Sequence, residues 1–92
     1  MEFIKSNDRI YCEDKDGKLL AEITFPETAN DIVNINHTFV DESLREQGVA
    51  GRLMQGVVDY IIENNKRAYP TCSYAVKWFE KNKEYQHLVV QI

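Results

Sequence analysis

Apolar and polar positions alternate through the first forty residues and then switch to a helical period, which divides the chain into a strand-rich half and a half built around helices. Residues 2–5 and 9–13 read as two short strands joined by the polar Ser6-Asn7-Asp8, and Lys15-Asp16-Gly17-Lys18 reads as the next turn. Leu19, Ala21, Ile23 and Phe25 then alternate with Lys18, Glu22 and Thr24, the pattern of a strand with one buried face. Pro26 to Asn30 is expected to be a loop. Residues 31–40 are expected to form one longer strand, with Val33, Ile35, His37 and Phe39 on one face and Ile32, Asn34, Asn36, Thr38 and Val40 on the other.

From Gly48 to about Asn65 the residues Ala50, Leu53, Met54, Val57, Val58, Ile61 and Ile62 form an apolar stripe opposite Arg52, Gln55, Asp59 and Glu63. That is a core-facing amphipathic helix, and Lys66 and Arg67 complement its negative end. A short strand at 68–71 carries Pro70, which suits an edge or an end. A second helix follows to Asn82, capped by Thr71 or Ser73, with Ala75, Val76 and Phe79 inward. Residues 88–91 are expected to close the chain as a last strand. The predicted fold is therefore a single α+β domain over residues 1–92 with a mixed, mostly antiparallel sheet and two main helices, in the order β-β-β-β-α-β-α-β. Its one β-α-β unit should place the long strand parallel to the strand at 68–71.

Composition narrows the function. Of 92 residues 43% are hydrophobic, which is globular, and the length suffices for a core without metal or disulfide. Cys12 and Cys72 show no metal-ligand spacing, so no metal is expected and the cytoplasm is the default setting. No apolar run reaches the roughly 18–20 residues of a membrane span, and the first residues lack a signal-peptide pattern, so a soluble, unprocessed chain is expected. A net charge of −4 argues against general nucleic-acid binding, and Lys77, Lys81 and Lys83 read more simply as a solvated helix face.

The candidate chemistry begins at Arg45-Glu46-Gln47-Gly48-Val49-Ala50-Gly51, an R-x-x-G-x-A turn opening the long helix. Small residues there let a ligand approach the main chain, and the free N–H groups of the first helical turn suit a phosphate. A sharp reversal alone would also need small residues. Cys72 stands where a second helix starts, a position that favours the thiolate, but it could equally be a small buried residue. His37 could remove a proton from an ammonium or simply pack in the core. Cys12 is a core position by pattern, and Trp78, Phe79 and Tyr85 read as packing residues.

The strand at 33–40 followed by Arg45-x-x-Gly48-x-Ala50 resembles motif A of the GNAT acetyltransferase superfamily. Asn36-His37-Thr38-Phe39-Val40, Pro70-Thr71-Cys72-Ser73-Tyr74 and Glu84-Tyr85-Gln86 extend the resemblance to compact, minimal acetyltransferase-like members of that superfamily over residues 31–90. The resemblance implies acetyl-coenzyme A as cofactor. Its pyrophosphate would lie on the amides of Gln47, Gly48, Val49, Ala50 and Gly51 with help from Arg45 or Arg52, and its pantetheine arm along the main chain of Phe39 and Val40. In that fold the strand and the one at 68–71 splay apart to admit the cofactor.

It also implies transfer of an acetyl group to a primary amine, with Cys72 as nucleophile or acid, His37 as base and Tyr74 as a further acid for the leaving thiolate. Because only Ser6-Asn7-Asp8 joins the first two strands, the acceptor site should be open, which favours a protein lysine, a peptide end or a polyamine. The rival readings are a non-catalytic acyl-coenzyme A binding module and a thiol sensor centred on Cys72. Glu46 departs from the glycine common in similar proteins, and its carboxylate is expected to point away from the pyrophosphate.

Overall fold

A computed structural model describes residues 2–90 of the chain. Its strands form two small sheets. In the first, β1 (Ile4–Lys5), β2 (Arg9–Glu13), β3 (Leu19–Thr24) and β6 (His37–Val40) run antiparallel in that order. In the second, β5 (Ile32–Ile35) is flanked by β4 (Glu27–Ala29), antiparallel, and by β7 (Arg67–Pro70), parallel. The parallel register of β5 and β7, with Ile32 opposite Arg67 and Ile35 opposite Pro70, is the expected β-α-β unit. Between them lie α1 (Val49–Glu63) and, after β7, α2 (Ser73–Lys81).

The long strand expected at 31–40 is interrupted. Asn36 and the start of β6 both lie opposite Thr24, since Asn36 N–H donates to Thr24 O while His37 holds Thr24 in register, so one residue is extra. That bulge reverses the alternation. Val33 and Ile35 are buried as predicted, whereas His37 and Phe39 point to solvent and Thr38 and Val40 turn inward. It also transfers the chain from one sheet to the other, because β5 pairs with β7 and β6 pairs with β3.

Smaller departures have local causes. The loop expected at 26–30 contains β4, whose pairing with β5 is irregular and whose side chains are all exposed, so no apolar alternation marks it. The α2 cap is neither Thr71 nor Ser73. Cys72 holds that position with extended backbone, and its sulfur accepts from Ala75 N–H at 3.4 Å. The final strand reduces to a 3-10 segment (Lys83–Leu88) and a single parallel bridge from Val89 to Ala68, while Gln91 lies outside the described residues.

The core sits between α1 and the inner faces of both sheets. Val49, Leu53, Met54, Val57, Val58 and Ile61 of α1 meet Ile10, Ile23, Phe25, Val33 and Ile35, all buried. Ile62 and Val76, expected inside, are 50% and 38% exposed because the observed stripe is centred one residue earlier on each helix. Gly56 brings α1 close to β2: a Cβ there would lie 2.8 Å from Ile10 Cδ1. Cys12 is buried as predicted, and burial holds its thiol pKa above the ordinary value. Trp78 packs edge-on to Phe79 and stacks on Tyr85, as their packing role requires. No described helix is long and apolar enough to cross a membrane.

Candidate active site

The two sheets share the core but separate at one edge. β5 and β7 stay paired to their ends, where Thr71 and Cys72 N–H both converge on Ile35 O at 3.0 and 3.2 Å. Beyond that point β6 leaves with β3, and β7 turns into α2. A V-shaped cleft therefore opens between β6 on one side and the start of α2 on the other. Asp41 N–H donates to Leu20 O at 2.7 Å, and antiparallel pairing alternates which residues face the neighbour, so His37 and Phe39 direct their main chain at β3. Thr38 and Val40 direct theirs into the cleft.

The wide end of the cleft is the start of α1. Asp41 N-caps a 3-10 turn (Glu42–Leu44), and the chain then reverses through Glu46 and Gly48, both in the left-handed region with φ of 66° and 74°. Glycine relieves that strain at position 48 but not at Glu46. Gly48 is the N-cap and has no side chain to offer, and the first main-chain bond of the helix is Arg52 N–H to Gly48 O at 3.2 Å. The N–H groups of Val49, Ala50 and Gly51 thus have no acceptor among the described residues. Aligned donors at a helix start with small side chains around them are an arrangement that suits an anion.

A cavity of about 350 Å³ joins these pieces: Val40, Leu44, Arg45, Glu46, Gly48 to Gly51 and Tyr74 line it. Arg45 is exposed at its rim, whereas Gln47 turns back, its side-chain amide donating to Ser43 O at 3.2 Å. Arg52 lies outside the lining, with its guanidinium 4.8 Å from the Phe3 ring centroid. Glu46 is exposed and makes no ion pair with either arginine among the described residues. A larger hollow of about 430 Å³ lies elsewhere, between Pro70, Val76, Phe79 and Val89, and holds none of these donors.

Two of the three candidate catalytic residues lie on the cleft side. Cys72 Sγ is 3.4 Å from Thr38 Oγ1 and accepts from Ala75 N–H, so it bridges the narrow part of the V. Tyr74 lines the cavity, and burial followed by the nearby Cys72 pushes its phenol pKa up, which keeps it a proton donor at neutral pH. His37 is on the opposite face of β6, half exposed, with Nε2 3.3 Å from Glu22 Oε1. Sequence reasoning missed Thr38 and Glu22 as site neighbours, because both contacts depend on the bulge at Asn36. No group of three metal-ligating side chains exists among the described residues.

A mostly antiparallel sheet split by a splayed strand, with bare amides at the helix that follows it, defines an acetyltransferase-type fold. The model of the GCN5-related N-acetyl-transferase family matches residues 9–88, and the chain belongs to that family. Along the whole fold it is similar to a GCN5-like protein from Staphylococcus aureus solved by NMR, with 34% identity, a TM-score of 0.82, and 99% of this chain and 89% of that one covered. Protein NATD1 of Bos taurus is 35% identical over 57 residues, which are 62% of this chain and 50% of that protein. The chain spans about half the length of the curated relatives it matches. The Tetrahymena GCN5 crystal structure shares the fold alone, at 17% identity and a TM-score of 0.62, covering 79% of this chain and 48% of that one.

Proposed function

We propose that the protein binds acetyl-coenzyme A in the cleft between β6 and α2 and transfers the acetyl group to a primary amine. The observation that carries this reading is the row of acceptor-free N–H groups at Val49, Ala50 and Gly51, opening onto a cavity whose other walls include Val40, Leu44, Arg45, Glu46 and Tyr74. These groups suit a diphosphate, and the outward main chain of Thr38 and Val40 suits the amides of a pantetheine arm. Bound there, acetyl-coenzyme A would supply an activated acetyl thioester.

The residues divide the remaining work. The acceptor must lose a proton before its nitrogen lone pair can attack, and the His37 imidazole on the open face of β6 is the candidate base. Tyr74 or the Cys72 thiol would supply the proton that a departing coenzyme A thiolate needs. Tyr74 is the better donor on position, since it lines the cavity. A lysine side chain, a peptide end or a polyamine could reach the uncovered face of the first sheet. Two free thiols fit a reducing, cytoplasmic setting.

One observation favours the rival reading of a non-catalytic acyl-coenzyme A binding module: the Cys72 sulfur already serves as the α2 cap, and His37 faces away from it. The test is thioester turnover by wild type, Cys72→Ala, His37→Ala and Tyr74→Phe proteins that all retain cofactor binding. The transferase reading expects turnover above background that falls at least about ten-fold in the Tyr74 or His37 variant. Equal, near-background turnover in all four would leave the module. Rapid alkylation of Cys72 that coenzyme A does not block would instead favour the thiol sensor.

A further inference from the structure

Among the described residues no helix covers the face of the first sheet opposite α1, and in its middle sits a carboxylate better covered than Arg9, His37 and Phe39 around it. Register places Glu22 directly between Tyr11 of β2 and Phe39 of β6, and one pair along, Thr24 lies between Arg9 and His37. All six side chains point to the open face. Glu22 is only 15% exposed in its side chain, because Arg9 donates to one carboxylate oxygen and His37 Nε2 lies 3.3 Å from the other. The Arg9 guanidinium also lies 3.6 Å from the Tyr11 ring centroid. A carboxylate beside an aromatic face is the chemistry that recognises an organic cation, and here the chain's own arginine occupies it.

We propose that Glu22, with Tyr11 and Phe39, is the docking point for the ammonium group of a lysine side chain, and that Arg9 holds the place until the lysine arrives. This rests on the transferase reading for its biological sense but not for its geometry. Three observations support it. Phe39 is 36% exposed with no aromatic partner among the described residues, which leaves a surface for the lysine's butyl stem. Arg9 has somewhere to go, a hollow of about 290 Å³ lined by Asp8, Arg9, Thr24, Pro26 and Asn36, where the Asp8 carboxylate can receive it. The residues flanking Phe39, Thr38 and Val40, are those whose main chain faces the cofactor cleft, so an amine docked here is one strand edge from it.

One carboxylate among rings suits a single ammonium on an alkyl stem. A polyamine asks for several carboxylates in a row, and Glu22 is the only acidic residue among the six.

The test is a titration of the full chain, with and without coenzyme A, by a short acetylated and amidated lysine peptide, followed by NMR of the Tyr11 and Phe39 rings. Saturable shifts of both rings are expected in wild type. Glu22→Gln should weaken binding about ten-fold, the loss expected when a charged acceptor is neutralised. Arg9→Gln should tighten it about five-fold by removing the competing cation. Arg9→Lys, which keeps a cation but loses the fork, should fall between and serves if Arg9→Gln does not fold. A merely structural Arg9–Glu22 pair would lower stability in both variants without changing affinity in opposite directions.

Unchanged binding in Glu22→Gln, weaker binding in Arg9→Gln, or spermidine binding tighter than the peptide would each overturn the proposal. The titration without coenzyme A keeps the outcomes separate. If cofactor binding fails, the transferase reading falls while the lysine site still stands or falls on its own shifts.

Discussion

Glu46 puts a carboxylate and a strained backbone beside the proposed diphosphate site, and removing it should improve folding and binding by separable amounts. Its φ of 66° lies in the left-handed region, which costs an L-residue about 1–2 kcal/mol. In Glu46→Gly that strain disappears, while the greater freedom of glycine in the unfolded chain takes back about 0.4–1 kcal/mol. A net gain of about 0.7 kcal/mol corresponds to about 3–5 °C in Tm for a domain of this size. The electrostatic part is independent of the backbone. Were a doubly charged diphosphate bound about 8 Å from this carboxylate, with a dielectric of about 60 between them, the repulsion would be about 1.4 kcal/mol, of which physiological salt would remove about half.

The remaining 0.7 kcal/mol or so is about threefold in Kd. Glu46→Gln separates the two effects, since it keeps the strained φ and removes the charge. Thermal melts and calorimetric titration with coenzyme A at two salt concentrations give the readout. Both variants should bind about threefold tighter at physiological salt and about tenfold tighter at low salt, and only Glu46→Gly should melt higher. Unaltered affinity in both variants would show that the carboxylate does not face a diphosphate, and an unaltered Tm in Glu46→Gly would refute the strain argument.

Other expectations follow from the same geometry. Gly48→Ala meets no atom within 4 Å but must hold a φ of 74°, so it should lose about 1 kcal/mol of stability in denaturant melts without rearranging the core. Gly56→Val would press on Ile10, already 2.8 Å from a hypothetical Cβ, and should cost about 1–3 kcal/mol by overpacking. Burial raises the Cys12 pKa in the folded state. The unfolded thiol therefore loses its proton first, and stability falls as pH rises through the ordinary thiol range. Urea midpoints between pH 8 and 10 should slope less steeply in Cys12→Ala.

At the acid end, Glu27 is held below its ordinary pKa, chiefly by the hydrogen bond from Lys66. The stability it contributes is present above that range and is lost as pH falls through it, an acid loss that Lys66→Met should reduce in the same urea series.

The long helix was the most legible part of the chain. Its stripe from Leu53 to Ile61 has one period and one face, and packing against a sheet admits few alternatives. The strand pattern from Ile10 to Phe25 was legible for the same reason. Residues 31–40 were not, because Asn36 is an ordinary polar residue in an alternating run and nothing local marks it as a bulge. That one extra residue decided which side chains face the cleft: it sent His37 and Phe39 outward and put Thr38 beside Cys72.

The acceptor-free amides at the start of α1 were readable from Gly48 and Ala50 because small residues at a helix start leave a local signature. The Arg9–Glu22–His37 group was not, since its members are 13 and 15 residues apart and meet only through strand register. Cys72 was placed at the right helix end, but its sulfur took the capping role assigned to its hydroxyl neighbours.

The main-chain donors where α1 begins carry the proposed function, and amide NMR reads them directly. Titration of the protein with coenzyme A, followed by its 1H–15N spectrum, should move the amides of Gly48, Val49, Ala50 and Gly51 together with Thr38 and Val40, saturably and with one Kd. Amides that stay in place up to millimolar coenzyme A, or shifts confined to the hollow between Pro70 and Phe79, would contradict it.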